Sequence, residues 1–511
     1  MTARDTPSSR ASSLARWAPW LLFVLLLVLM AWRPLATPDE GRYAEVGRWM
    51  GVSGDWLVQR LNGLPFFHKP PLLYWLEASS FALFGVSVWA ARLVVALHAG
   101  GMAWLMWACA RHWAGEATAQ RALWVLGASA AFLIGGQYVN HDMMVATWIG
   151  VAIWCFARAL LHAEGVHAGW GRAGFVACAL GILSKGLIGV LLPGWVLFLW
   201  ITWTRQWRKV WQLPWVSGLA LMALIALPWF VLAERAVPGM LNYLFGVHQF
   251  GRFGATTFNN AQPAWFYLVA LVVLMFPWAL GLLAAALQGL WARGVRRETA
   301  EPTPPWVSLC WIWVVGILGF FSIPNSKLIG YALPVVAPVA LLVAHAWQTH
   351  LAPRRWARAA FAALVVGNLA LIVVAQHTLG EYSQRNSSAR IAQALRAQVQ
   401  AQDTVVVVGG GEYPYDLPFL AQLPRPMEVV QDWAHERRVA GDTWHRELLD
   451  GADFDAQAAR VLVPYDRLQG LDQVPHVWLV VERNSLSRLG EAHRWQAVAQ
   501  GGRWLLYRSA P

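Results

Sequence analysis

The chain of 511 residues is 57% hydrophobic and only 13% charged, and its mean hydropathy is +0.42. A chain of this length with so little charge is too apolar to be a soluble protein, so we predict a polytopic membrane protein. The net charge of +12 is typical of some nucleic-acid-binding proteins. The basic residues, however, fall in short clusters between apolar stretches, where cytoplasmic retention explains them and no nucleic-acid partner is predicted.

Apolar stretches long enough to cross a bilayer, which takes about 20 residues, recur along the chain. We predict eleven spans, and up to thirteen, at residues 15–33, 89–110, 121–138, 143–161, 171–184, 187–204, 213–233, 264–291, 306–323, 328–348 and 358–378. The first span follows arginines as a signal peptide does, but it is longer than the usual ~7 to 15 apolar residues, so we expect a retained anchor. All four cysteines lie inside these spans without metal-ligand spacing, which predicts buried free thiols.

Basic residues occupy alternate connecting segments. The segments that carry them are residues 1–16, 111–121, 158–172, 205–209, 293–297 and 354–358. The short loops of the other set carry only Lys185 and Lys327. By the positive-inside rule the N-terminus is cytoplasmic, and an odd number of spans places the C-terminal tail outside.

Two external segments, 34–88 and 234–263, are too long to be simple turns. Residues 70–85 of the first predict an amphipathic helix in the membrane interface. After a membrane domain at residues 1–380, short apolar runs alternate with polar residues, which predicts a small extracytoplasmic α/β domain at 381–511. The fold class is therefore mainly α, with this small domain appended. The triple glycine at 409–411 does not complete a dinucleotide fingerprint, so no nucleotide site is predicted.

Ionisable residues recur at the ends of the predicted spans, on the external side. A charge near a bilayer core costs about 2.5 to 3.5 kcal/mol, so such charges usually mark a site or an interface anchor. The acids are Asp39, Glu40 and Asp142; the bases are Arg42, Lys69, Lys185, Arg252 and Lys327; Tyr43 and Tyr331 lie beside them in sequence. Transfer of a sugar from a lipid phosphate needs a carboxylate that accepts or orients a proton and cations that stabilise the departing phosphate. The set fits this reaction, with Asp39 and Asp142 as candidate catalytic acids and the others as candidate substrate-binding residues.

The motifs around these residues resemble those of a known class of enzymes. They are TPDEGRYAEVGRWM from Thr37, FFHKPPLLYW from Phe66, GQYVNHDMMVATW from Gly135, LSKGLIG from Leu183 and PNSKLIGYALP from Pro324. As a set they resemble the membrane glycosyltransferases of the GT-C class, and among these the ArnT-like branch of lipid A aminoarabinose transferases, which is related to protein O-mannosyltransferases. The resemblance covers residues 15–350.

The resemblance implies an inverting glycosyltransferase of a bacterial inner membrane, with its C-terminal domain in the periplasm. The donor would be a polyprenyl-phosphate-linked sugar, such as an amino sugar, and the acceptor lipid A or another extracytoplasmic molecule. It also implies that Asp39 takes the central catalytic position and that Tyr43, Lys69, Asp142, Lys185 and Arg252 line the substrate cavity. The sequence names neither the sugar nor the acceptor.

Other interpretations stay open. Lys185 and Lys327 are also typical of span-end anchors whose ammonium groups reach the headgroups. His68 and His248 are external and offer imidazoles to a divalent metal such as Zn or Mg, although ordinary loop histidines fit as well. The same charges would serve a transporter or flippase of lipid-linked sugars. Transporter sites lie near the bilayer midplane, whereas these charges lie at span ends, which favours the enzyme.

Overall fold

The computed structural model describes residues 17–251, 260–283, 286, 304–489 and 495–509. The helices of the first half are α1 (Leu21–Leu29), α2 (Asp39–Ser53), α3 (Leu72–Phe84), α4 (Val88–Ala114), α5 (Glu116–Gly127), α6 (Ala130–Leu133), α7 (His141–Leu160), α8 (Ala168–Lys185), α9 (Ile188–Thr204), α10 (Trp207–Val210) and α11 (Trp215–Ala236). Those of the second half are α12 (Phe266–Met275), α13 (Pro305–Ser322), α14 (Val336–Ala346), α15 (Ala357–Asn386), α16 (Ala389–Gln398), α17 (Leu417–Ala421), α18 (Trp433–Val439) and α19 (Trp444–Phe454).

Short 3₁₀ and π segments connect several of these helices. The 3₁₀ turns are Ala18–Trp20, Gly135–Gln137, Ile329–Val335, Ala458–Val461, Tyr465–Leu468, Leu471–Gln473 and Arg483–Leu489, and the π segments are Asn242–Gly251 and Trp347–Leu351. The strands are β1 (Arg60–Leu61), β2 (Leu64–Pro65), β3 (Thr404–Val408), β4 (Glu428–Val430), β5 (Leu462–Val463), β6 (Val477–Glu482), β7 (Gln496–Gly501) and β8 (Trp504–Arg508).

Six helical segments of the described residues are long and apolar enough to cross a membrane. They are α4, α7, α11, α13, the segment Ile329–Leu351 and α15. The helix α5 and the segment Ala130–Gln137 form a seventh span if the 61° bend between them lies within one crossing. The mainly helical membrane fold is thus confirmed. The count of eleven spans is not, because α9 and α12 are shorter helices and part of 264–291 lies outside the described residues.

The chain divides into two compact units. The first contains residues 1–30, 95–226 and 262–376, which carry most of the membrane helices. In its core α7 packs along α8, and the fully buried rings of Trp154 and Trp313 meet edge to face with centroids 5.2 Å apart. All four cysteines are buried free thiols in this unit, as predicted.

The second unit contains residues 31–94, 227–261 and 377–511. The predicted boundary at 380 assigned the first external loop to the membrane domain, whereas this unit combines that loop with the C-terminal residues. Helix α2 packs against α3, and the six strands of the large sheet lie in the order β5-β4-β3-β6-β8-β7. Strands β3 to β6 run parallel, and β6, β8 and β7 pair antiparallel. The predicted small C-terminal sheet domain is therefore present.

The valine-rich strands β3 and β6 form the centre of this sheet. They pair in register from Thr404 opposite Val477 to Val408 opposite Val481, and all of β6 is buried. Continuous apolar runs are expected for parallel strands, since both of their faces are covered. The triple glycine follows β3, where the amide of Gly411 donates to the carboxylate of Glu482 (2.9 Å). The carboxylate of Glu482 therefore occupies an amide donor that a bound phosphate group would need.

A tight hairpin joins the first external loop to the C-terminal residues within the second unit. Asn62 and Gly63, between β1 and β2, both have positive φ (51° and 80°), the conformation that a two-residue type I′ turn requires. The Asn62 side chain donates to the carbonyl of Met427 (2.9 Å) and accepts from its amide (2.8 Å). Both side-chain groups of this buried asparagine are therefore paired.

Candidate active site

Asp39 begins helix α2, directly after Pro38. Its carboxylate accepts a hydrogen bond from Arg42 Nη2 (2.6 Å), one turn further along the helix, and its side chain is 38% exposed. The acid is thus oriented by a fixed partner while one side stays accessible. That combination suits a carboxylate that contacts a substrate.

Arg42 joins Asp39 to a second carboxylate, which belongs to the C-terminal part of the same unit. Its Nη1 donates to Glu447 of α19 (2.7 Å), and the hydroxyl of Tyr415 donates to the same oxygen of Glu447 (3.2 Å). Burial alone would lower the pKa of Arg42, but Glu447, then Tyr43 and Asp39, raise it well above its ordinary value. The guanidinium therefore stays charged at every relevant pH.

Burial raises the pKa of Glu447 above that of a free glutamate, and the adjacent Arg42 offsets part of the rise. Tyr43 contributes its hydroxyl to the same group, accepting from Arg42 (3.3 Å), and its ring faces Tyr74 at 6.4 Å between centroids. Most of this group is buried, which strengthens its electrostatic interactions. Arg42 is consequently held from two sides and holds Asp39 in turn.

Glu40, predicted to bind substrate, points away from solvent and is fully buried. It accepts hydrogen bonds from the side chains of Arg33 and Arg92 and from the amide of Ala36 (2.8 Å). Burial by itself would raise its pKa, but the two arginines lower it to about 2. Because its oxygens are enclosed by these donors, the geometry favours a structural role at the start of α2 over contact with a sugar.

His68 and His248 come together, with ring centroids 4.1 Å apart. Asp450 of α19 joins them, and one ligand atom of each of the three residues lies within 4.8 Å of the others. Asp450 also accepts from the hydroxyl of Tyr243 (2.8 Å) and pairs with Arg446 (2.7 Å). Two imidazoles and one carboxylate form the donor set of many zinc sites with an open fourth position, so the residues fit such an ion.

Burial raises the pKa of Asp450, and its contacts with Tyr243 and Arg446 offset part of that rise.

Lys69 follows His68 and is half-buried, with its Nζ donating to the His68 carbonyl (3.0 Å). Arg252, the remaining predicted residue of this external segment, lies outside the described residues.

Asp142 belongs to the first unit and lies in the first turn of α7. It forms a short ion pair with Lys185, the last residue of α8, and both side chains are about nine-tenths buried. Asn140 caps α7: its side chain accepts from the Asp142 amide (2.9 Å) and donates to the carboxylate (3.0 Å). The carboxylate is thereby fixed by a cation on one oxygen and an amide on the other.

The motif that contains Tyr331 completes this group. The Lys185 ammonium lies 4.5 Å from the centre of the Tyr331 ring, a cation–π contact. Gly330 lies against Asp142 so closely that a Cβ there would be 2.1 Å from Oδ2. Lys327 is buried, and among the described residues its Nζ donates to the carbonyls of Gln262 (2.9 Å) and Pro324.

Comparisons with known proteins indicate which family the chain resembles. The family model of dolichyl-phosphate-mannose-protein mannosyltransferases matches residues 20–244. An undecaprenyl phosphate-alpha-4-amino-4-deoxy-L-arabinose arabinosyl transferase of Proteus mirabilis is 34% identical over 64% of this chain and 59% of its own. The crystal structure of ArnT from Cupriavidus metallidurans bound to undecaprenyl phosphate matches with a TM-score of 0.80 at 25% identity, covering 98% of this chain and 99% of that chain. The chain thus has the fold of ArnT over nearly its whole length, and its sequence is similar to the ArnT-like branch of the GT-C class.

Two further relatives place this ArnT-like chain. An arabinosyl transferase of the same name from Sodalis glossinidius is 36% identical over 63% of this chain and 57% of its own. The oligosaccharyltransferase of Archaeoglobus fulgidus shares the fold alone, with a TM-score of 0.56 at 13% identity over 97% of this chain and 74% of that chain. The chain spans about three fifths of the length of the curated relatives that it matches. Their names are those of transferases, so the transporter alternative is not favoured.

Several residues of the candidate site were missed by sequence reasoning. Glu447 lies 405 residues from Arg42, and Asp450 lies 382 residues from His68 and 202 from His248, in a helix without a recognisable motif. Asn140 carried a usable signal, since an asparagine just before an apolar helical run is a typical N-cap. Gly330 was visible within its motif, but only the packing shows why a side chain is excluded there.

Proposed function

We propose that the protein is a glycosyltransferase that moves a sugar from a polyprenyl phosphate carrier to lipid A or another extracytoplasmic acceptor. The observation that carries the proposal is the accessible carboxylate of Asp39, held by Arg42 at the start of α2 in a chain with the ArnT fold. The relatives' names suggest undecaprenyl phosphate as the carrier and 4-amino-4-deoxy-arabinose as the sugar.

Asp39 has one of two roles, depending on the acceptor. A hydroxyl acceptor is a poor nucleophile at neutral pH, so Asp39 would accept its proton as it attacks the anomeric carbon with inversion. A lipid A phosphate is already an anion and needs no base. In that case Asp39 would orient the sugar or stabilise positive charge that develops at the anomeric carbon.

Cations would stabilise the phosphate of the lipid carrier as it departs. Lys185 is paired with Asp142, so its charge is largely neutralised until a substrate competes for it. The described hydrogen bonds of Lys327 go to backbone carbonyls, so no carboxylate among the described residues is paired with it. We therefore assign phosphate binding to Lys327 first, with Lys69, Lys185 and Arg252 as the further cations of the predicted set.

A divalent cation, with zinc as the best fit, belongs to the proposal. His68, His248 and Asp450 would hold it, and Tyr243 and Arg446 would orient the carboxylate from outside. When bound, the ion would supply fixed positive charge beside Lys69, which follows His68 in the chain. His68 and His248 would be neutral there, because a protonated imidazole cannot bind a metal.

The same proposal includes a location and an orientation. The chain would lie in a bacterial inner membrane with its N-terminus in the cytoplasm. The Asp39 and Asp142 ends of their helices, and the C-terminal sheet, would face the periplasm, where the lipid-linked sugar and its acceptor meet. The distribution of basic residues supports this orientation.

The test uses purified protein in lipid nanodiscs with undecaprenyl phosphate-linked 4-amino-4-deoxy-arabinose and lipid A. Mass spectrometry should detect lipid A heavier by one aminopentose, together with free undecaprenyl phosphate in equal amount. Asp39→Asn should abolish most of this turnover, while Asp453→Asn, at an exposed pair in the same unit, should not. Turnover of neither lipid A nor any other hydroxyl or phosphate acceptor, in a folded preparation, would reject the assignment as a transferase.

A further inference from the structure

The bent span before α7 breaks at one point, between α5 and α6, where the chain turns by 61°. Ser129 begins the second part as an N-cap: its hydroxyl oxygen accepts from the amide of Phe132 (3.2 Å) and its hydroxyl donates to the carbonyl of Leu126. A break inside a membrane protein leaves backbone groups that no water satisfies, so each one needs a partner from the protein.

The carbonyls that lose their helical partners in this stretch include those of Ala128 and Leu133. In a continuous helix the amide of Phe132 would bond Ala128, but it bonds the carbonyl of Ser129 instead (3.2 Å). The amide of Gln137 likewise donates to the carbonyl of Ile134, three residues earlier (3.2 Å), and not to that of Leu133, four residues earlier. The carbonyl of Leu133 is thereby released from the helical pattern.

Helix α15 supplies an amide side chain to each released carbonyl. Asn368 Nδ2 donates to the carbonyl of Ala128 in a short hydrogen bond, and Gln376 Nε2 donates to that of Leu133 (3.1 Å). Both amides are buried, at 4% and 2% exposure, within an apolar helix that is long enough to span a membrane. Trp278 Nε1 also donates to the Ala128 carbonyl (3.4 Å). Polar side chains are rare in apolar membrane helices, so two amides of one helix that both bond released carbonyls indicate a specific lock.

The locked segment leads directly to Asp142. Gln137, which also donates its side chain to the Leu133 carbonyl, ends the 3₁₀ turn three residues before Asn140. Asn140 then bonds both the amide and the carboxylate of Asp142. The described path from the break to the acid thus consists of hydrogen bonds and a connection of three residues, 138–140.

We infer that Asn368 and Gln376 are positioning residues for Asp142, which they hold in place by locking the bend of the span that precedes α7. The inference rests on the proposed function only where sugar transfer is the readout. Neither amide touches a substrate. Each acts through the backbone carbonyl that it satisfies and through the segment 128–142 that this carbonyl belongs to.

The experiment compares kinetics of the purified protein with Asn368→Leu and Gln376→Met, which keep the side-chain size and remove the donor. We expect kcat to fall about tenfold or more, since displacements of about 1 Å in a site can cost ~100-fold, while KM for the lipid-linked sugar changes less than about twofold. Gln376→Glu should regain part of the loss, because a carboxyl kept neutral at this buried position still donates one hydrogen bond.

A double-mutant cycle identifies the route. In an Asp142→Asn background, Asn368→Leu should cost less than about twofold, since residues that act through one group are not additive. Trp195→Phe is the matched control: it removes a hydrogen bond between α9 and α13 (3.2 Å to the Gly316 carbonyl), without touching the bend. Wild-type kcat in both amide variants, a fully additive cycle, or wild-type turnover in Asp142→Asn would each overturn the inference.

A second readout does not require transferase activity. Release of Asp142 would free Lys185 from its ion pair, so labelling of Lys185 by an amine-reactive reagent, followed by mass spectrometry, should rise in Gln376→Met and stay unchanged in Trp195→Phe. Unchanged labelling in a folded Gln376→Met protein would overturn the positioning role. A wild-type protein that transfers no sugar, but shows the expected labelling, would instead reject the proposed function alone.

Discussion

Gly330→Ala is expected to abolish most of the proposed sugar transfer, although it removes no polar group. The backbone at Gly330 has no positive φ, so alanine suits its conformation. The added Cβ, however, would lie 2.1 Å from Asp142 Oδ2 and 2.6 Å from its Cγ. A comfortable carbon–oxygen contact is about 3.3 Å or more, so the carboxylate must retreat by roughly 1 Å.

The size of this displacement sets the expected loss of kcat. A retreat of roughly 1 Å breaks the short ion pair with Lys185 and lengthens the hydrogen bond from Asn140, and misplacements of this size can cost ~100-fold in rate. We therefore expect kcat to fall about 100-fold. The overpacking itself should destabilise the protein by about 1 to 3 kcal/mol, which a membrane protein of ordinary stability survives.

The assay is transfer to lipid A by the purified variant, with melting temperature measured in the same detergent. Gly281→Ala is the matched control, because a Cβ there would lie 3.5 Å from the nearest atom of Val343, an ordinary contact. The control should keep wild-type turnover. A Gly330→Ala enzyme within threefold of wild type would show that the position of the Asp142 carboxylate does not limit the reaction.

Three further outcomes are expected. The carboxyl of Glu40 has a pKa of about 2 in the folded protein and near 4.5 in the unfolded chain, so its stabilising effect is present above pH 4.5 and is lost towards pH 2. The melting temperatures of wild type and Glu40→Gln should therefore converge as the pH is lowered. A constant difference between them would contradict the buried ion network. Glu447→Gln should lower kcat by about tenfold by loosening Arg42 without unfolding the protein, which single-turnover kinetics would detect. His68→Ala should reduce zinc bound after dialysis, measured by elemental analysis, whereas the same change at the exposed His435 should not; equal zinc in both would remove the metal from the proposal.

The membrane class and the small C-terminal sheet domain followed from the sequence, because they depend on local patterns. Apolar runs of about 20 residues have few stable alternatives to a helix in a bilayer, and valine-rich runs bounded by turn residues have few alternatives to strands. The motif residues Asp39, Asp142 and Lys185 were also visible. A charged residue at the end of an apolar span can be recognised in the sequence even when the residue that it contacts is unknown.

Which charged side chains contact each other was decided only by the tertiary structure. Glu40 and Asp39 are adjacent in the chain, yet one is enclosed by two arginines and the other remains accessible, because successive residues of a helix face different directions. The pairing of Arg42 with Glu447 depends on chain segments that are 405 residues apart, and no local pattern specifies such a contact.

The bend before Asp142 shows the same division within one feature. Its sequence, LGASAAFLIGGQ from Leu126, contains small residues and a possible N-cap, but it predicts one continuous span. The backbone carbonyls that the bend releases are invisible in a sequence, because every residue has one. Only the folded chain brings Asn368 and Gln376 to them, since a hydrogen bond depends on where two groups meet in space and not on their separation along the chain.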